Sequence, residues 1–177
     1  GKASPMRALL AVLLLGGLAG CNNSSSPTAP PPAPEPVPTQ WSGSRHVVEL
    51  VEGQGTCLGG VLGAQAPQTV RLVLPPPQTA AAIGSVQILE PEDFCSVAVL
   101  NDGTTVSWDD FRCSQSCWFT SFQCNGRNWS YCRTRDDFHG TEAGSELGGS
   151  QIETYRATNG QTEYLVRARY SYRLSRD

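Results

Sequence analysis

From residue 164 to residue 174 the chain keeps a strict period of two. Tyr164, Val166, Ala168, Tyr170, Tyr172 and Leu174 interleave with Leu165, Arg167, Arg169, Ser171 and Arg173. Successive side chains of an extended chain point to opposite faces, so this pattern predicts a strand with one dry face and one arginine face. Such a strand must find neighbours to cover its edges and its dry side. Three Asx-Gly pairs show where neighbours fold back. At Asp102-Gly103 a two-residue turn would pair Val99 with Val106 and Val97 with Trp108, with Cys95 on the same face. At Asn125-Gly126 the same turn pairs Phe122 with Trp129 and Thr120 with Tyr131, and Trp118 shares that face. At Asn159-Gly160 a three-residue loop with a glycine bulge sets Ile152 opposite Val166 and Thr154 opposite Tyr164. Residues 41–51, 69–74 and 83–89 also read as strands, and no segment reads as a helix. With 18 glycines and 13 prolines in 177 residues, the expectation is an all-β domain. It is an antiparallel up-and-down barrel or sandwich of about 8–10 strands.

The first 40 residues do not belong to that fold. Lys2 and Arg7 precede an apolar run over residues 9–18, the pattern of a secretory signal. Asn22, Asn23 and three serines end the run short of the roughly 20 apolar residues a spanning helix needs. Met6 stands where an initiator would, which sets residues 1–5 apart as non-native. Leu18-Ala19-Gly20-Cys21 resembles the bacterial lipobox at all four positions. The resemblance implies cleavage after residue 20, a diacylglyceryl group on the Cys21 thiol and an acylated amino terminus, and several acyl chains anchor a protein stably. In bacterial lipoproteins an aspartate after the cysteine is the inner-membrane retention cue, so with Asn22 there the resemblance implies the outer membrane, facing the periplasm or the cell surface. Residues 21–40 then form a tether with seven prolines between Pro27 and Pro38. At about 3.1 Å per residue it reaches up to roughly 60 Å.

The folded domain is residues 41–177, which hold every aromatic of the chain. Setting aside Lys2, Arg7 and Glu35, the 13 basic and 16 acidic residues of the sequence fall to 11 and 15, with the signs interspersed. That balance argues against a nucleic-acid partner. Without Cys21, six of the seven cysteines remain: Cys57, Cys95, Cys113, Cys117, Cys124 and Cys132. In an exported chain they are expected to form three disulfides. Cys117 and Cys124 on one strand would lie about 23 Å apart, against the roughly 7 Å a bridge allows. Cys132, opposite Phe119 and away from the turn, cannot reach Cys124 either. Nine of the 15 pairings stay open, with Cys57–Cys95 favoured. As a zinc site, Cys113, Cys117, Cys124 and Cys132 lack the short paired spacing of a knuckle.

Chemistry is sparse. Of the two histidines, His46 reads as exposed on a strand, and His139 follows Asp136 and Asp137, the candidate for a metal-assisted hydrolase. Adjacent aspartates on a strand face opposite ways, so both reach one ion only from a loop. There is no Gly-x-Ser-x-Gly elbow, no lysine in the domain for a Ser-Lys dyad, and no EF-hand spacing around Asn101, Asp102, Asp109 and Asp110. No catalytic residue, metal ligand or cofactor site follows from the sequence. Trp118, Phe122, Trp129 and Tyr131, flanked by Arg127 and Arg133, offer a binding surface able to stack sugars or anchor a protein. The same aromatics serve as cross-strand packing.

Trp41 at the start of the first strand, the up-and-down order and Arg173 near the end of the last strand are together similar to the lipocalin arrangement. In it an early tryptophan packs beneath a late basic side chain; Thr39 stands where lipocalins place glycine. The expected function is a lipid-anchored, non-enzymatic binding or interaction module whose partners are the membrane and a protein. The lipocalin resemblance implies a calycin-like alternative, a carrier holding a small apolar ligand among Tyr164, Val166, Tyr170 and Tyr172. The hydrolase at Asp136, Asp137 and His139 is a third reading.

Overall fold

The computed structural model describes residues 32–89, 92–109 and 120–177. Cys21 and its lipobox, Cys113, Cys117 and Trp118 lie outside the described residues. The chain forms β1 (Thr39–Glu52), α1 (Cys57–Gly63), β2 (Gln68–Leu74), β3 (Ala82–Leu89), β4 (Glu92–Asn101) and β5 (Thr105–Asp109). These are followed by β6 (Thr120–Cys124), β7 (Arg127–Arg135), β8 (Phe138–Ala143), β9 (Glu146–Thr158) and β10 (Glu163–Arg176). Eight strands close a ring in the order β10-β1-β2-β3-β4-β5-β8-β9, and β9 pairs back onto β10. It is an antiparallel up-and-down barrel, not a sandwich.

The remaining two strands branch from the wall. β7 pairs with β9 from Ser130↔Thr158 to Arg135↔Glu153, and β8 takes over the same edge from His139↔Ser150 to Ala143↔Glu146. Residues 136–138 thus oppose residues 151–152, a bulge that lets one long strand change neighbours. Below it β5 pairs with β8, and above it β6 pairs with β7.

The alternation of β10 holds throughout: Val166, Ala168, Tyr170, Tyr172 and Leu174 are buried, and Arg173 is exposed. The Asn125-Gly126 hairpin also has the expected register, Phe122↔Trp129 and Thr120↔Tyr131. Both turn residues have positive φ, 51° and 74°, as a two-residue hairpin of this hand requires. The other two turns are longer than expected. The Asp102 carboxylate accepts from the Thr104 and Thr105 amides at 2.8 and 2.7 Å, stretching the loop so that Val99 faces Trp108. That slip of two keeps every side chain on its face. At the third turn Asn159 Oδ1 accepts from the Gln161 and Thr162 amides at 3.0 and 2.8 Å, and Ile152 pairs with Arg169 rather than Val166. This slip is odd, so Ile152 and Thr154 face outward and Gln151, Glu153 and Tyr155 face the core.

Three further expectations are corrected. A helix does form, in Cys57–Gly63, capped by Thr56 Oγ1 accepting from the Gly59 amide at 3.0 Å, with Leu58 and Leu62 buried over one end of the barrel. Cys57 bonds to Cys124, not Cys95, across 67 residues; Cys95 and Cys132 are disulfide-bonded as well. The basic side chain over Trp41 is Arg176, 4.9 Å from the ring, not Arg173. Arg176 is the register partner of Trp41 and continues the inward parity of β10.

Glycines make room for the largest interior stack. The Phe138 ring lies parallel to Trp108, centroids 3.7 Å apart, and edge-on to Tyr172 at 5.1 Å. A Cβ on Gly149 would come within 2.2 Å of Phe138 Cζ. Gly149→Ala is therefore expected to destabilise the domain by about 3 kcal/mol, read as a lowered denaturant midpoint. Gly144→Ala, in open space but at a φ of 64°, should cost about 1 kcal/mol.

Candidate functional site

The densest polar chemistry lies inside the barrel. Arg45 on β1 points inward, as Trp41 does, and Glu153 on β9 meets it from the other side of β10; they are 1% and 0% exposed. Glu153 Oε1 accepts from Arg45 Nη1 at 2.6 Å and from Arg135 Nε at 2.7 Å. Its Oε2 accepts from the Tyr155 hydroxyl, which lies 2.8 Å from that of Tyr170. Arg45 Nε donates to Gln68 Oε1 at 2.8 Å, its Nη1 reaches the Tyr172 hydroxyl at 3.1 Å, and Tyr172 donates to Gln151 at 2.8 Å. The Arg45 guanidinium also stacks 4.2 Å over the Tyr170 ring. Asp93 on β4 pairs with both Arg133, at 2.5 Å, and Arg135. That pair of bridges joins β4 to β7 where no backbone ladder connects them.

Charge balance decides the protonation states. Burial would push the Glu153 carboxyl up, but the charges of Arg45 and then Arg135 hold it well below the usual carboxylate range. Burial likewise opposes the charge on Arg45, and Glu153 raises its pKa nonetheless. Burial and the Glu153 charge push the Tyr170 hydroxyl up to about 12. At neutral pH the cluster is charged, and its ion pairs and hydrogen bonds link β1, β7, β9 and β10 inside the barrel, with Asp93 and Arg133 at its partly exposed edge.

The aromatic face of the β6–β7 hairpin is partly inside as well. Phe122, Trp129 and Tyr131 are half-buried and packed against the core. Trp129 lies 5.0 Å from the Tyr164 ring, and Tyr131 meets Tyr155 edge-on at 5.6 Å. Arg127 is exposed near the turn, whereas Arg133 is engaged by Asp93. The hairpin is thus a flap on the barrel end, pinned to α1 by Cys57–Cys124, with only part of its aromatic area facing solvent.

Outside the wall, Asp109, Asp136, Asp137, His139, Ser150 and Arg169 line an open groove of about 450 Å³. The two aspartates sit in the bulge between β7 and β8, so both reach this groove, and His46 is exposed elsewhere on β1. Among the described residues no three His, Cys, Asp or Glu side chains converge to hold a metal ion. No protein-family model, curated protein or solved structure shows significant similarity to the chain.

Sequence reasoning missed Arg45, Arg135, Gln151 and Glu153. A signal was present for the first: Arg45 shares the parity of Trp41 on β1, and a charge on a dry face implies a buried partner.

Proposed function

We propose that the protein is a lipid-anchored envelope lipoprotein whose barrel serves as a non-enzymatic binding or interaction module. The supporting observation is that large side chains crowd the inner face of the barrel: Trp41, Arg45, Phe138, Tyr170 and Tyr172 are buried there, with Phe138 packed on Trp108 and Tyr172 and Arg45 on Tyr170. That supports contact through the outer wall and the half-exposed hairpin aromatics. The lipobox cysteine and the Pro-rich tether support the anchor. In membranes of a lipoprotein-processing bacterium expressing the full chain, Cys21 is expected to carry the diacylglyceryl group, and Cys21→Ser should move the protein to the soluble fraction. An unmodified Cys21 would overturn the anchor.

The second reading is a calycin-like carrier of a small apolar ligand, favoured by up-and-down closure and by Arg176 over Trp41. Its lining would include Tyr170 and Tyr172, whose hydroxyls are hydrogen-bonded, and Tyr164, whose buried hydroxyl has no hydrogen-bond partner among the described residues.

A further inference from the structure

The charged residues are unevenly distributed around the barrel. Residues 73–89 contain no charged residue, and neither do residues 94–101. These two stretches are the end of β2, the following loop, all of β3, and most of β4, antiparallel neighbours in one stretch of wall. Strand parity turns Ile83, Ser85 and Gln87 of β3 and Phe94, Ser96, Ala98 and Leu100 of β4 outward. Ile83 is 73% exposed, Phe94 64% and Leu100 52%. Phe94 and Leu100 are six residues apart, about 20 Å along the strand. Charged side chains ordinarily lie on a protein's outer face. Here that holds for the opposite wall, where β10 presents Arg167, Arg169 and Arg173, two of them paired with Asp136 and Glu49.

The uncharged panel is also held rigid at one end. Asn101 Nδ2 donates to Pro75 O at 3.0 Å and the Gln78 amide donates to Asn101 O at 2.8 Å, knitting the proline loop to the β4–β5 turn. Asp102, in the β4–β5 turn, directs its carboxylate back into its own turn. The chain enters β1 at Thr39 at this same end, since Thr39 pairs with Leu74 and residues 75–81 follow directly. Only 18 positions separate Thr39 from Cys21, so an acylated Cys21 would hold this end within about 60 Å of a bilayer.

The geometry points to a lipid surface as the occupant of this panel. The tethered barrel lies on its side, with Ile83, Phe94 and Leu100 seated at the boundary between headgroups and acyl chains. The inference rests on the lipid anchor proposed above. The panel's own side chains carry no charge, and the bordering Arg71, beside Gln87, and Asp109, beside Ala98, are of opposite sign, so the contact depends little on salt, unlike one made through the arginine wall.

Photo-cross-linking of the full-length acylated protein tests this, in phosphatidylcholine vesicles carrying a phosphatidylcholine with a carbene precursor near its glycerol backbone. Peptide mapping by mass reads both the modification of Cys21 and the sites of labelling. Labels are expected on residues 73–89 and 94–101 at on the order of tenfold the density on residues 164–176, unchanged in about 1 M salt. Ile83→Asp with Leu100→Asp, at exposed positions that leave the core intact, should abolish that excess. Labels on the arginine wall, uniform labels, protein–protein adducts at the panel, or an excess that survives the double substitution would each overturn the panel while an acylated Cys21 leaves the anchor standing. An unacylated Cys21 would remove both.

Discussion

Replacing Glu153 by leucine should cost the fold about 3–5 kcal/mol, because two buried guanidiniums would lose their shared carboxylate. Arg45 and Arg135 are 1% and 3% exposed, so water cannot substitute for the missing acceptor. Arg133 and Arg135 would keep Asp93; Arg45 would keep only neutral partners among those described above. Glu153→Gln, which preserves the shape and an acceptor oxygen, should cost less. The same carboxylate shapes the acid limb of stability. Its folded pKa is depressed relative to the unfolded chain, so its contribution is fully present above the unfolded value of about 4.3. It is lost as the pH falls from there toward the folded value. Urea midpoints are therefore expected to be flat from neutral pH to about pH 5 and to fall below it. In Glu153→Gln that fall should be shallower. Equal slopes in the two proteins would show that Glu153 is not charged in the folded state.

Removing the Cys57–Cys124 bond is the second large effect. The bridge closes a loop across 67 residues, and releasing a loop of that length gives the unfolded chain about 4 kcal/mol of entropy. Cys57→Ser with Cys124→Ser should lower stability by that order. It should also raise amide exchange first in α1 and β6, whose attachment depends on the bond, and leave β9 and β10 protected. Uniform deprotection across the barrel would mean that the bond braces the whole wall.

Legibility varied with the range of the forces involved. The Asn125-Gly126 hairpin was readable because both residues accept positive φ and nothing else competes for the turn. The loops at Asp102 and Asn159 are longer than the two and three residues expected, since a short side chain capping backbone amides supports a longer loop. At Asp102 the extra length preserves the faces; at Asn159 it inverts them, turning Ile152 out and hiding Glu153. A glutamate within a strand reads as solvated until its partners are known, and those partners lie 108 and 18 residues away. Helix α1 was invisible because three of its seven residues are glycine, which local propensity disfavours; burial of Leu58 and Leu62 and the bond at Cys57 hold it. Arg176 could have been found: counting the β10 alternation two residues past Leu174 places it on the inner side, over Trp41. Of the aromatic surface, the pairing was legible, but its partial burial under the barrel end depends on the disulfide partner of Cys124. The aspartates flanking the bulge reach one groove because β9 changes neighbours there, a feature of topology rather than of local sequence.

Native mass spectrometry of the full chain, exported and extracted from the membrane in mild detergent, tests the anchored, solid-cored barrel most directly. The expected species carries acyl chains on Cys21, lacks the hydrogens of its disulfides and holds no small molecule. A stoichiometric apolar ligand retained in the gas phase would contradict the filled interior and make the protein a carrier.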